Sequence, residues 1–177
     1  RTILPTPSSC GDGLPRVGIE PLEELSGHVG ALGGEVRGLP LVGAEVVLAG
    51  STFTDAKERA DALAAERGLT YVHGFDDPAV IAGQGTIGLE LVEQIPDLDA
   101  VIVPIGGAGL IAGVALATKS QRPSVEVIGV EAEQMPSFTM SLARGEVTVC
   151  PSKPTLADGL ATTRPGHNAF AIARQYV

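Results

Sequence analysis

Gly106, Gly107 and Gly109 share one turn, directly after an apolar β-branched run and directly before a helical pattern. Ala100 to Ile105 reads as a buried strand and Leu110 to Lys119 as a helix. A glycine turn that feeds a helix N-terminus presents unpaired backbone N–H groups and the positive end of the helix dipole, an arrangement that binds anions and phosphate above all. Without Cβ atoms in the way, a phosphate can approach the main chain closely. The chemistry offered by Gly106, Gly107, Ala108, Gly109 and Leu110 is therefore recognition of a phosphorylated cofactor or substrate. Two other readings use the same residues. A glycine turn can serve only to pack a helix on a sheet. The run Ala100 to Thr118 is uncharged and nearly long enough to span a bilayer, but Pro104 and the Gly106–Gly107 pair would break a spanning helix midway.

The form Gly107-Ala-Gly109-Leu-Ile-Ala-Gly113 also permits a dinucleotide site. Glu131 stands about 20 residues on, at the end of the next strand, where a carboxylate could hold a ribose hydroxyl. No Gly-Lys-Ser/Thr follows the turn, so it is not a Walker A loop. A compact cup of successive N–H groups suits a phosphate monoester such as that of pyridoxal phosphate. The remaining reactive side chains are few. Lys57, Lys119 and Lys153 are the lysines, and His28, His73 and His167 the histidines, none in a ligand motif such as His-Glu-x-x-His. Cys10 and Cys150 are far apart and in no metal-like spacing, so reduced thiols are the default, with a disulfide between them as the lesser alternative.

The elements that must position the turn are legible on both sides of it. Ala44 to Leu48 and Leu69 to His73 read as strands around a helix from Thr54 to Arg67, where Ala60, Leu63 and Ala64 share a face and Gly68 follows as a stop. This makes Glu45–His73 a βαβ unit. Asp77-Pro78 resembles an N-cap followed by proline at the first helical position. The helical pattern resumes from about Thr86 to Gln94 after Gly83-Gln84-Gly85, and Pro96 ends it. Val125 to Val130 reads as a strand closing on Glu131, Pro136 to Arg144 as a helix stopped by Gly145, Val147 to Cys150 as a short strand, and Pro165 to Val177 as a last helix. Strands alternating with helices in this way predict an α/β fold with a mostly parallel sheet and flanking helices. Residues 1–40 show no sustained period among their prolines and glycines and read as loop-rich, unassigned sequence.

Composition narrows the partners. A hydrophobic content of 44% supports a packed core. A net charge of −9 with no basic cluster argues against nucleic acid and anionic membrane surfaces. No secretory signal is visible, which with the cysteine usage points to the cytoplasm. The chain starts at Arg1 and stops at Val177 within a helical pattern that has no stop signal, so both ends read as cut.

Six blocks, in order, resemble the threonine dehydratases and serine racemases, fold type II pyridoxal phosphate enzymes of tryptophan synthase β-like architecture. They are Gly43-Ala-Glu-Val-Val-Leu, Tyr71-Val-His-Gly-Phe-Asp-Asp-Pro, Val80-Ile-Ala-Gly-Gln-Gly-Thr-Ile-Gly-Leu-Glu, Asp99 to Gly113, Val127-Ile-Gly-Val-Glu and Thr155-Leu-Ala-Asp-Gly-Leu-Ala. The resemblance implies that Gly106, Gly107, Ala108, Gly109 and Leu110 hold the cofactor phosphate through backbone N–H groups, with alanine at 108 where the family usually has glycine. It implies that Glu131 contributes to a Mg2+ or Ca2+ site, although the second carboxylate often used there falls near Ser137. It further implies a small domain represented by residues 41–82, a large cofactor-binding domain represented by 83–177, an amino-acid substrate (serine or threonine), β-elimination to a 2-oxo acid and ammonia, and a homo-oligomer. Racemisation of serine, a non-catalytic truncated paralogue and a dinucleotide-binding protein are the alternatives.

Two parts of the family pattern are missing. These enzymes bind the cofactor aldehyde through a lysine in a Ser-x-Lys-x-Arg-Gly-Ala context. None of the three lysines stands in that context, so no catalytic residue is assigned and the fragment is expected to be inactive by itself. The Ser-Ser-Gly-Asn-His loop for the substrate carboxylate is also missing; Ser8-Ser9-Cys10-Gly11-Asp12-Gly13 has the wrong order.

Overall fold

The computed structural model describes residues 47, 49 and 53–177. The expectations for residues 1–40, for the strand at Ala44–Leu48 and for Cys10 fall essentially outside the described residues. The chain divides into two compact units, residues 1–72 and 73–177.

In the first unit, helix α1 (Phe53–Arg67) forms where the spacing predicts it. Leu63 is the buried position of its apolar face. Lys57 pairs with Asp61 one turn on, at 2.6 Å, and lies 5.2 Å from the Tyr71 ring centroid. Gly68 ends the helix at φ +65°, and Leu69 N–H donates to the Ala64 carbonyl at 2.9 Å, a left-handed C-terminal cap. Residues 69–73 do not form the expected strand.

The second unit runs α2 (Pro78–Gln94), β1 (Ala100–Pro104), α3 (Gly109–Gln121), β2 (Glu126–Val130), α4 (Ser137–Arg144), a 3-10 turn (Asp158–Leu160) and α5 (His167–Tyr176). The strands are parallel, in register from Ala100 opposite Glu126 to Pro104 opposite Val130, joined by the α3 crossover. Helix α3 is the centre of the core: Ile111, Ala112, Val114 and Ala115 are at most 1% exposed. Val103, Ile105 and Val127 reach it from the sheet, Ile81 from α2, and Ala169, Phe170 and Ala173 from α5. A helix apolar on nearly every side must be enclosed by others.

Helix α2 begins at Pro78, as the Asp77-Pro78 pair predicts, and is not interrupted at Gly83-Gln84-Gly85 before the pattern resumes at Thr86. Asp77 caps it as expected, its Oδ1 accepting Ala79 N–H at 2.7 Å and Val80 N–H at 3.4 Å. The helix then runs straight through Gly83, Gly85 and Gly88. Two of these are contact positions rather than breakers. A Cβ on Gly85 would lie 3.2 Å from the Gly113 carbonyl oxygen, and one on Gly88 2.7 Å from that of Val114. The helices α2 and α3 touch backbone to backbone, and that packing offsets the poor helix propensity of glycine. Arg122 secures the far end of α2, its guanidinium donating to the carbonyls of Val92, Ile95 and Pro96 at 3.1, 3.1 and 2.6 Å.

Val147 to Cys150 is not a strand either. Its backbone is held piecewise, Thr148 N–H donating to Ser141 Oγ at 2.9 Å and Cys150 N–H to the Thr163 carbonyl at 2.8 Å. Cys150 is a free thiol, 1% exposed, and burial raises its pKa.

Candidate functional site

The glycine turn lies between β1 and α3, as the sequence predicts. Ile105 N–H donates to the Val130 carbonyl at 2.7 Å, so the turn leaves the sheet at the end of its ladder. The first bond of α3 is Ala112 N–H to the Ala108 carbonyl, 2.9 Å. The N–H groups of Gly109, Leu110 and Ile111 therefore have no acceptor within the helix. Ala108 occupies the N-cap in the left-handed region, φ +72° and ψ 0°, and is the one described non-glycine residue with positive φ. That conformation costs alanine about 1–2 kcal/mol. The cost is partly offset because its methyl is buried in the core at 3% exposure.

Other chain segments hold the turn on two sides. A Cβ on Gly107 would collide with the Phe75 ring, and one on Gly109 with the Phe75 backbone. A Cβ on Gly106 would fall 2.8 Å from Thr162 Oγ1 and 3.2 Å from Leu160 Cα. Gly166 N–H donates to the Gly107 carbonyl at 3.0 Å. All five expected phosphate binders, Gly106 to Leu110, thus sit in one tightly packed cup with main-chain donors at its rim. Phe75, Thr162 and Gly166 were not singled out from the sequence. Phe75 stands in one of the six blocks, but nothing in its local pattern says that it packs on a distant turn.

Glu131 is placed differently. It follows β2, and its Oε1 accepts Phe138 N–H at 2.9 Å while its Oε2 accepts Thr139 N–H at 2.7 Å and Thr139 Oγ–H at 2.5 Å. Both oxygens are committed to the N-terminus of α4, whose own N-cap, Pro136, supplies no side-chain bond. Ser137, where a second carboxylate would be needed, is 1% exposed. No group of three or more His, Cys, Asp or Glu residues stands together among the described residues. Hard divalent cations require six or more oxygens, so these residues do not fit a Mg2+ or Ca2+ site. Nor is Glu131 free for a ribose hydroxyl, and Gly113, the last glycine of the dinucleotide-like spacing, is spent on packing against the Ile81 carbonyl of α2.

The three lysines stand in different settings. Lys57 is in the first unit, paired with Asp61. Lys119 is at the far end of α3, about 15 Å along the axis from its N-terminus, with Nζ donating to the Pro123 carbonyl at 3.1 Å. Lys153 is exposed. No helix among the described residues is long and apolar enough to cross a membrane.

Comparison with known proteins places the chain among similar sequences and folds. Over 136 residues the chain is 51% identical to an L-threonine ammonia-lyase of Thermotoga maritima, covering 77% of this chain and 34% of that one. It is 47% identical over 134 residues to the catabolic L-threonine dehydratase TdcB of Escherichia coli, covering 76% and 41%. The fold is similar to processed threonine deaminase isoform 2 from Solanum lycopersicum, with TM-score 0.76 and 41% identity over 82% of this chain and 40% of that one. It is also similar to maize serine racemase, with TM-score 0.76 and 33% identity over 81% and 45%. The chain thus spans between a third and a half of the length of these relatives. Residues 28–177 match the family described as pyridoxal-phosphate dependent enzyme, and with most of its length matched the chain belongs to that family.

Proposed function

We propose that this chain is the phosphate-holding portion of a pyridoxal phosphate-dependent ammonia-lyase acting on L-threonine or L-serine. The observation that carries the reading is the cup at Gly106–Leu110, where the N–H groups of Gly109, Leu110 and Ile111 have no acceptor within the buried helix that they start. These groups fit a phosphate dianion: they are donors only, and they lie at the positive end of α3. When bound, pyridoxal phosphate supplies an electron sink for removal of the α-proton and loss of the β-hydroxyl, giving a 2-oxo acid and ammonia. This chain's part is to anchor and orient the phosphate. None of its lysines stands in a Ser-x-Lys-x-Arg-Gly-Ala context, so its hold on the cofactor is read as non-covalent. The same reading assigns residues 41–82 to a small domain and 83–177 to the large cofactor domain of a cytoplasmic homo-oligomer. The likeness to maize serine racemase favours racemisation as the second reading.

Titration of the purified chain with pyridoxal phosphate, pyridoxal and NAD tests the proposal. Saturable binding of pyridoxal phosphate is expected, with pyridoxal at least tenfold weaker because it lacks the anion. Gly109→Ala should abolish the preference, since the added methyl meets the Phe75 backbone. Borohydride treatment should leave no pyridoxyl group on Lys57, Lys119 or Lys153. Saturable NAD binding with none of pyridoxal phosphate would overturn the reading, and a specific lysine adduct would overturn the non-covalent part of it.

A further inference from the structure

The turn at residues 73–77 touches the cup on one side and helix α5 on the other. His73 Nδ1 accepts Phe75 N–H at 3.3 Å and Asp76 N–H at 3.1 Å, which folds the turn on itself. The carboxylate of Asp76 then crosses to α5. Its Oδ2 accepts His167 N–H at 2.9 Å and its Oδ1 accepts Ala169 N–H at 3.0 Å, while the Asp76 carbonyl accepts Asn168 Nδ2–H at 2.9 Å. Helix α5 has Gly166 at its N-cap and no capping side chain of its own, so Asp76 serves its first-turn donors from across the fold. Gly166 is tight against this carboxylate, where a Cβ would collide with Asp76. The N–H of that same Gly166 is the group bonded to the Gly107 carbonyl. Phe75, the neighbour of Asp76, is the residue packed on Gly107 and Gly109.

Two independent supports of the cup therefore meet at one carboxylate: Gly166 on the Gly107 carbonyl, and Phe75 against Gly107 and Gly109. We propose that Asp76 is a positioning residue for the phosphate cup. By tying the 73–77 turn to the start of α5 it fixes the peptide planes of Gly107–Leu110, so that their N–H groups are oriented before an anion arrives. Charge-assisted bonds to two backbone N–H groups are strong enough for such a role, and preorganised donors bind with less ordering cost. The proposal rests on the reading of the cup as a phosphate site, and its test has one arm that does not.

In the first arm, 15N relaxation is measured on the wild-type chain and on Asp76→Ala and Asp76→Asn. Wild-type Gly106, Gly107 and Gly109 should be as rigid as the α3 interior, with order parameters near roughly 0.85, and should fall below about 0.6 in Asp76→Ala. Asparagine keeps one acceptor and should restore part of the rigidity. Gly166→Ala, which pushes the carboxylate away, should reproduce the Asp76→Ala result and serves where that variant does not fold. In the second arm, inorganic phosphate and pyridoxal phosphate should each bind about tenfold more weakly to Asp76→Ala. Loosening confined to His167–Phe170, with the cup rigid and phosphate affinity unchanged, would reduce Asp76 to a helix cap and overturn the proposal. A wild-type chain that binds neither phosphate compound would defeat the cofactor reading, while the relaxation arm still decides the role of Asp76.

Discussion

Among the described residues, Thr118 is the one whose buried side chain lacks a hydrogen-bond partner. Its side chain is fully buried on α3, and Oγ1 has no hydrogen-bond partner. The hydroxyl faces Gly88, whose missing Cβ would lie 2.9 Å from it. A buried donor without an acceptor costs about 1–3 kcal/mol. Thr118→Val keeps the shape and removes the cost, so urea unfolding should show a gain of about 1 kcal/mol; a loss would mean that the hydroxyl has a partner. Glu131 is the opposite case, a carboxylate with both oxygens used. Its bonds to Phe138 and Thr139 take the place that a cation would need. Glu131→Ala should cost about 1 kcal/mol, as loss of a cap does. The melting temperature of the unmodified chain should be the same in Mg2+, Ca2+ and chelator. A cation-dependent rise that vanishes in Glu131→Ala would restore the metal reading.

At the scale of elements, the α2–α3 crossing is what brings the cup to rest against the turn at residues 73–77. A Cβ on Gly113 would meet the Ile81 carbonyl oxygen and lie 2.7 Å from Gly85 N, so the two backbones must separate to admit it. Gly83 has nothing within 4 Å of its virtual Cβ. The same substitution should therefore have opposite signs: Gly113→Ala destabilises by about 1–3 kcal/mol through overpacking, and Gly83→Ala stabilises by about 1 kcal/mol through helix propensity. Thermal melts of the two variants check this, and equal effects would mean that the helices do not touch here. The contrast also explains what was legible from sequence. Strand β1, the turn and α3 follow from β-branched run, glycines and apolar helix, signals contained within one segment. Glycines in α2 read as punctuation because a breaker and a contact glycine look alike without the partner helix. Segments 69–73 and 147–150 have strand-like residues but are not strands, because residue type alone does not decide β pairing. The supports of the cup at Phe75, Asp76 and Gly166 carry no local signal in the sequence, since each acts on a segment distant from it.

At the scale of the whole molecule, the second unit's sheet is half covered. Val101, Val103, Val127 and Gly129 face inward, and the built Cβ of Gly129 would lie 3.0 Å from Ile111 Cδ1 on α3. The alternate residues face outward: Ile102 is 68% exposed, and Ile128 and Val130 are 38% and 50% exposed. Ile102 and Ile128 are register partners, as are Pro104 and Val130, so the exposed side chains form one patch rather than scattered points. Parallel sheets normally carry helices on both faces, and their strands are apolar on both for that reason. An uncovered apolar sheet face draws other apolar surfaces to it. The chain in isolation should bind a hydrophobic dye and self-associate with rising concentration in sedimentation velocity. Ile102→Thr with Ile128→Thr should reduce both effects. It should change the melting temperature little, because threonine keeps the β propensity and no inward contact is lost. A monodisperse wild-type chain without dye binding, or a double variant that associates as strongly as the parent, would show that this face is not what holds the copies together.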